Sequence, residues 1–277
     1  MNVILKSGDR MEIADNATAM QAALAISEGL ARNAVCAKVN GQLCDLSHNL
    51  NEGDTLEIVT LKDKEGLQVY RHTCAHILAQ ALKTIYPTCK LSIGPVIDNG
   101  FYYDVDFVTP ITQTDLAKVE SEMQKIIKSN LPVERFTLPR NEAIALMESY
   151  SEDYKVELIK DLPEGETISF YKQGNFTDLC RGPHLPSTGK IKAFKLTSIA
   201  GAYWRGDEHN KMLTRIYGTA FAKKDEMEAY FTMLEEAKKR DHTKLGKELK
   251  LFSIMNEGKG LPFFLPNGMV LKNQLIE

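Results

Sequence analysis

Long apolar runs are missing from this chain. The first residues offer only Val3-Ile-Leu5, and nowhere do the roughly 18 consecutive apolar residues of a membrane helix occur, so neither a secretory signal nor a membrane span is expected. Cysteine is scarce as well. The five, Cys36, Cys44, Cys74, Cys89 and Cys180, are odd in number and widely spaced, which excludes a disulfide scaffold and fits free thiols in a reducing cytoplasm. An excess of one charge is also lacking: 34 Lys and Arg against 37 Asp and Glu leave a net charge of −3, so a polyanion must meet a local patch rather than a basic surface. There is no G-x-x-x-x-G-K-[ST] phosphate loop, internal repeat or low-complexity tract, and the single tryptophan, Trp204, reads as packing.

What is present is core material. In 277 residues of 43% hydrophobic content there is enough for two or three globular domains. Residues 3–5 and 11–13 flank Ser7-Gly8-Asp9 as a hairpin, an amphipathic helix follows over about 18–30, and strands at 35–39, 42–46 (around Asn40-Gly41) and 55–59 complete a small module. This order, read as ββαββ, predicts a ubiquitin-like β-grasp over residues 1–62, ended by the charged break Lys62-Asp-Lys-Glu-Gly66. Residues 63–224 read as a larger α+β domain. It has a helix at 67–86 stopped by Pro87, a helix capped by Thr114 with Leu116, Val119, Met123 and Ile126 on its stripe, and strands near 100–107, 167–171 and 192–199. Residues 225–250 read as a linker helix with Met227, Tyr230, Phe231, Leu234 and Ala237 on one face. Its basic run, Lys238, Lys239, Arg240, His242 and Lys244, is more simply a solvated face than an RNA contact. From 251 to 277 a strand, turn and helix begin and stop in mid-helix, as in a truncated further domain.

Chemistry concentrates in two short stretches. On the helix, Cys74, Ile77, Leu78, Ala81, Leu82 and Ile85 recur as the core stripe. At about 100° per residue, His72 and His76 then fall one turn apart on the other side, beside Ala79 and Lys83, where an isolated pair would usually be solvated. The second stretch, Asp178-Leu-Cys180-Arg-Gly-Pro-His184, cannot be helical through Gly182 and Pro183, so a thiol and an imidazole stand on a tight loop after strand 167–171. Together they supply three of the six histidines and a cysteine to one candidate pocket. From spacing alone H-x-x-x-H with C-x-x-x-H suits a zinc site, a metal-free acid–base site or an activated Cys180 nucleophile.

Five stretches together resemble one family, the bacterial threonyl-tRNA synthetases, in their N-terminal part and over essentially the whole chain. They are Arg71-His-Thr-Cys-Ala-His76, Ile93-Gly-Pro-Val-Ile-Asp-Asn-Gly-Phe-Tyr-Tyr-Asp104, Tyr154-Lys-Val-Glu157, Asp178-Leu-Cys-Arg-Gly-Pro-His184 and Ala200-Gly-Ala-Tyr-Trp-Arg-Gly-Asp207. The resemblance implies a TGS domain (1–62), an editing domain of the threonyl/alanyl type (63–224), a linker helix (225–250) and the truncated start of a class II catalytic core (251–277). It implies His72, His76, Cys180 and His184 as catalytic pocket residues, with Asp178 for the substrate ammonium, Lys155 for the terminal ribose or reacting carbonyl, and Tyr103 as an aromatic face for the terminal adenine. Residue-level alternatives stand beside these roles: Lys155 as a plain solvated lysine, Tyr103 as core, and Arg181 and Arg205 as either phosphate or scaffold arginines. No metal or cofactor is expected in this part, ATP, Mg and Zn belonging to the missing core. The partners implied are the acceptor end of tRNA(Thr), a seryl ester at its terminal adenosine, and a second copy of the full-length enzyme through that core, in the cytoplasm and with no membrane.

The chemistry behind such a domain follows from size. Threonine exceeds serine by one methyl group, worth about 1–3 kcal/mol, so a synthetic pocket that admits threonine cannot adequately reject serine. A second pocket that admits serine and excludes threonine removes the error by ester hydrolysis, which needs a positioned water, a proton acceptor and donors for the developing oxyanion. Imidazole of unperturbed pKa would make that reaction fail below about pH 6.5. Two alternatives remain: a zinc-dependent metallohydrolase, and a non-catalytic TGS-type RNA-binding or regulatory module. The second would leave the four residues scattered.

Overall fold

The computed structural model describes residues 1–255, 258 and 260–276; Lys259, in the expected Gly258–Pro262 break, and Glu277, in the expected final helix, lie outside the described residues. Residues 1–224 form one compact unit and residues 225–277 a second.

The chain opens as a mixed five-stranded sheet of order β2-β1-β5-β3-β4, from β1 (Asn2–Leu5), β2 (Arg10–Glu12), β3 (Ala34–Val39), β4 (Gln42–Cys44) and β5 (Thr55–Thr60). Strand β1 runs parallel to β5 and the other pairs are antiparallel, giving the β-grasp. The expected helix at 18–30 is two helices, α1 (Ala19–Ile26) and α2 (Glu28–Asn33). Ser27, extended at φ −168, ends the first, and its hydroxyl accepts from Leu30 N–H to cap the second. The order is therefore ββααβββ.

The second module is built on α3 (Lys64–Ile85), whose buried side chains surround it rather than forming one stripe. It lies against the antiparallel sheet β12-β13-β8-β6, made by β6 (Lys90–Leu91), β8 (Gly100–Asp106), β12 (Ala193–Tyr203) and β13 (Met212–Phe221), with β7 (Val96–Ile97) paired to β8. Helix α4 (Leu116–Lys128) covers another side of α3 with Leu116, Val119, Met123 and Ile126, as its periodicity predicts. Its entry is set by Thr112 rather than Thr114. Thr112 and Asp115 form a capping box over a single 3₁₀ turn. A separate hairpin layer, β9 (Val133–Leu138), β10 (Ile168–Gln173) and β11 (Phe176–Leu179), packs Ile168 and Phe170 on Ala143 and Met147 of α5 (Arg140–Ser149) and on Val156 and Ile159 of α6 (Asp153–Asp161).

The boundary at 62/63 marks the start of α3 but not a break in packing. Val35, Cys36 and Val59 of the β-grasp share one core with Val69, Tyr70 and Cys74 of α3. A Cβ on Gly66 would lie 2.0 Å from the Thr60 carbonyl oxygen, so glycine is needed where strand and helix meet.

Within the second unit, α7 (Lys224–Lys239) and α8 (His242–Glu248) are separated at Asp241, whose carboxylate caps α8 through Lys244 N–H. The single linker helix is thus two. Strands β14 (Phe252–Ile254) and β15 (Pro262–Phe264) pair antiparallel before α9 (Pro266–Ile276).

Candidate functional site

Helix α3 supplies His72, Thr73 and His76, and the loop after β11 supplies Cys180 and His184. That loop follows a hairpin, not strand 167–171 directly: β10 turns at Gly174 into β11, and Tyr171 stands opposite Asp178. The hairpin is tied to α3 by Gln173 Nε2, which donates to Gln80 Oε1 (2.8 Å) and the His76 carbonyl (3.2 Å).

The four residues converge. Cys180 Sγ lies 3.3 Å from both His72 Nε2 and His184 Nε2 and accepts from Gly182 N–H at 3.3 Å. The ring centroid of His184 is 4.3 Å from that of His72 and 4.1 Å from that of His76. His76 and His184 are only 3% and 2% exposed, so the face of α3 where an isolated histidine pair would be solvated is covered by the hairpin and loop.

Thr73 fixes a tautomer. Its hydroxyl donates to the Val69 carbonyl, as is usual for a helical threonine, and so acts as acceptor for Leu185 N–H (2.9 Å) and His184 Nδ1 (3.1 Å). The His184 proton is then on Nδ1, and the Nε2 lone pair faces the Cys180 thiol. Thr73 was not singled out from the sequence. A β-branched hydroxyl between the two histidines was the available signal.

A charged layer lies beside the imidazoles. Lys155 Nζ of α6 is 2.7 Å from Asp178 Oδ1 and donates to the Tyr103 hydroxyl at 3.0 Å, and Tyr103 donates to Asp178 Oδ2. His76 Nε2 is 3.9 Å from the same oxygen, while His76 Nδ1 is buried without a hydrogen-bond partner among the described residues. The sequence alternative of a solvated Lys155 is wrong, because its pairing with Asp178 leaves it 3% exposed. Tyr103 requires a correction too. At 1% exposure, with its ring against Gly94, it presents no open face to an adenine and serves as a hydrogen-bond donor. Asp178, 2% exposed, already binds Lys155 and Tyr103, so it is not a free carboxylate waiting for an ammonium.

Burial dominates the electrostatics. It pulls His72 down to about 4, against a backbone hydrogen bond to Pro183 and the Asp178 charge, and pulls His76 down to about 3 against Asp178. His184 is lowered well below the usual imidazole value for the same reason, with the other two histidines adding to it. All three are neutral at pH 7. Burial pushes the Cys180 thiol up to about 12, so it stays protonated. For Asp178 burial acts upward, but the Lys155 charge, with hydrogen bonds from Lys155 and Tyr103, outweighs it and holds the carboxyl below its usual range.

The donor atoms of His72, His76, Cys180 and His184 lie within 4.8 Å of one another, and three imidazoles with one thiolate are zinc-type ligands. The two 3.3 Å sulfur–nitrogen separations are near the edge of about 3.5 Å in a tetrahedral zinc site, whereas the span of the whole set is wider. An apolar cavity of about 320 Å³, lined by Ile93, Leu158, Leu162, Ile168 and Leu179, reaches Cys180 and Arg181. The peripheral arginines are tied to carboxylates: Arg181 to Glu166, and Arg205 to Glu157 and Asp161. Trp204 packs edge-on to Tyr154 and donates to Glu157, as a packing residue should.

A β-grasp module joined to an α+β domain with a buried histidine–cysteine cluster defines the class. Residues 1–60 match the TGS domain, and residues 168–217 match the second additional domain of threonyl and alanyl tRNA synthetases. Over its full length the chain is similar to threonine–tRNA ligases. It is 60% identical over 277 residues, all of this chain, to the threonine–tRNA ligases of Clostridioides difficile and Acetivibrio thermocellus, and 60% identical over 275 residues, 99% of it, to that of Clostridium tetani. It spans 43–44% of the length of those relatives. No helix among the described residues is long and apolar enough to cross a membrane.

Proposed function

We propose that this chain hydrolyses the ester joining serine to the terminal adenosine of tRNA(Thr), as the proofreading part of a longer cytoplasmic enzyme that attaches threonine to that tRNA with ATP and dimerises through its catalytic core. The observation that carries the reading is the convergence of His72, His76, Cys180 and His184 on one buried site beside the Lys155–Asp178 pair. A recognition module has no use for such a cluster.

In this reading the reaction needs no metal. His72, neutral down to about pH 4, takes the proton of the attacking water and returns it to the ribose oxygen as the acyl–ribose bond breaks, and His76 Nδ1, unpartnered among the described residues, holds that water or the substrate hydroxyl. Cys180 is a wall and hydrogen-bonding atom rather than a nucleophile, since its thiol is protonated at neutral pH. The Lys155–Asp178 pair supplies the field beside the reacting groups, its lysine side favouring oxyanion charge. The adenosine lies in the apolar cavity next to Cys180 rather than on Tyr103.

The ligand-type set favours one second reading, in which zinc held by His72, His76, Cys180 and His184 would supply an activated water. Against it stands the 4.8 Å span, wider than a closed tetrahedral site. The test is incubation with serine-charged and threonine-charged tRNA(Thr), with and without chelator, alongside elemental analysis of untagged protein. Serine release that survives chelation supports the metal-free reading. Stoichiometric zinc that tracks activity replaces it with the second.

A further inference from the structure

We infer that Asp45, which belongs to the β-grasp module, is a positioning residue for the hydrolytic site of the other domain. Asp45 follows β4, far from the cluster in sequence, yet both its oxygens are spent on that site. Oδ1 accepts from the backbone N–H of His184 at 2.9 Å, and Oδ2 accepts from the Tyr171 hydroxyl at 2.7 Å. Tyr171 in turn packs edge-on to the His184 ring, with centroids 4.4 Å apart.

The two bonds hold one group at two points. The first fixes the backbone of His184 and the second fixes the ring that backs its imidazole, while Thr73 holds Nδ1. Little slack remains between them: a Cβ on Gly182 would lie 1.8 Å from the Tyr171 hydroxyl oxygen, and Gly182 has φ +72. Tyr171 therefore sits pressed against the turn that aims Cys180 and His184 at each other. A carboxylate bridging two neutral donors makes charge-assisted bonds, stronger than neutral ones. The β-grasp module thus adds a second hold on a loop that the larger domain holds through Thr73 and Ser169. An offset of about 1 Å at a reacting group can cost on the order of a hundredfold in rate, so loss of this clamp should appear in turnover rather than in binding.

The inference rests on the hydrolytic reading for its rate test, and a second measurement stands free of it. With the full chain and serine-charged tRNA(Thr), Asp45→Ala is expected to lower kcat about tenfold with KM within about twofold, and Asp45→Asn, which keeps polar atoms at both places, to restore most of it. Tyr171→Phe should lose less, and its effect should not add to that of Asp45→Ala. His48→Ala, in the same β-grasp loop, should behave as wild type. Independently, amide hydrogen exchange of residues 181–185 should be at least about tenfold faster in Asp45→Ala than in wild type or His48→Ala, with the rest of the β-grasp unchanged. Wild-type kcat in Asp45→Ala while His72→Ala is inactive overturns the inference and leaves the hydrolytic reading intact. Wild-type exchange in 181–185 overturns it as well. Absence of hydrolysis in wild type ends the hydrolytic reading, and the exchange measurement still decides the clamp.

Discussion

At the residue scale the site is a set of groups kept neutral by burial next to one buried ion pair. Replacing His72 or Cys180 by alanine should lower seryl-ester hydrolysis at least about tenfold without unfolding the domain, while the exposed His209 should tolerate alanine; equal loss in all three, read by single-turnover deacylation, would remove any special status from the cluster. The pH dependence follows from the depressed imidazoles. Ordinary histidines would lose activity below about pH 6.5, but His72 at about 4 keeps its base form, so rates should not collapse between pH 7 and pH 5. Stability should respond differently. Between about pH 6.5 and 4 the unfolded chain binds protons that native His72 and His76 refuse, so Tm should fall as pH drops through that window, as calorimetry would show. Lys155→Ala strands the Asp178 carboxylate in a site where both partners are about nine-tenths or more buried. It should cost about 3–5 kcal/mol in denaturant unfolding, and Lys155→Met with Asp178→Asn should recover stability but not hydrolysis.

At the scale of elements, the histidine helix, the β-grasp strands and the non-helical loop were readable because each announces itself locally. Periodicity marks α3 and α4, the Asn40-Gly41 turn marks the β3–β4 hairpin, and Gly182-Pro183 stops regular structure. What was not readable depended on partners distant in sequence. The second face of α3 looks amphipathic in isolation, and only the β10–β11 hairpin and the Cys180–His184 loop bury it. The break at Ser27 and the cap at Thr112 instead of Thr114 turn on single side chains that several neighbouring residues could have supplied. Tyr103 illustrates the same limit: an aromatic on a strand is equally fit to stack on a ligand or to fill a core, and its 1% exposure decides for the core. Gly182→Ala tests the loop directly. Its left-handed φ costs about 1–2 kcal/mol and its Cβ strikes the Tyr171 hydroxyl, so hydrolysis should drop while circular dichroism of the folded domain persists; full activity would show that this turn does not aim the site.

At the scale of the whole molecule, the β-grasp and the larger domain are one packed body over residues 1–224, sharing a core through Val35, Cys36 and Val59 and a polar contact through Asp45. The sequence marked a boundary at the charged 62–66 stretch because composition changes there, while continuity of packing is a property of contacts that composition does not carry. The same body brings Asp178, Lys155 and Tyr103, from three different elements, against the imidazoles of a fourth. The measurement that tests this account most directly compares release of serine and of threonine from tRNA(Thr) by the purified chain at neutral pH, with His72→Ala in parallel. The account predicts that serine is released at least about tenfold faster than threonine, the scale a single methyl group can set, and that His72→Ala abolishes the difference. Equal release of the two amino acids, or serine release that His72→Ala leaves untouched, would contradict it.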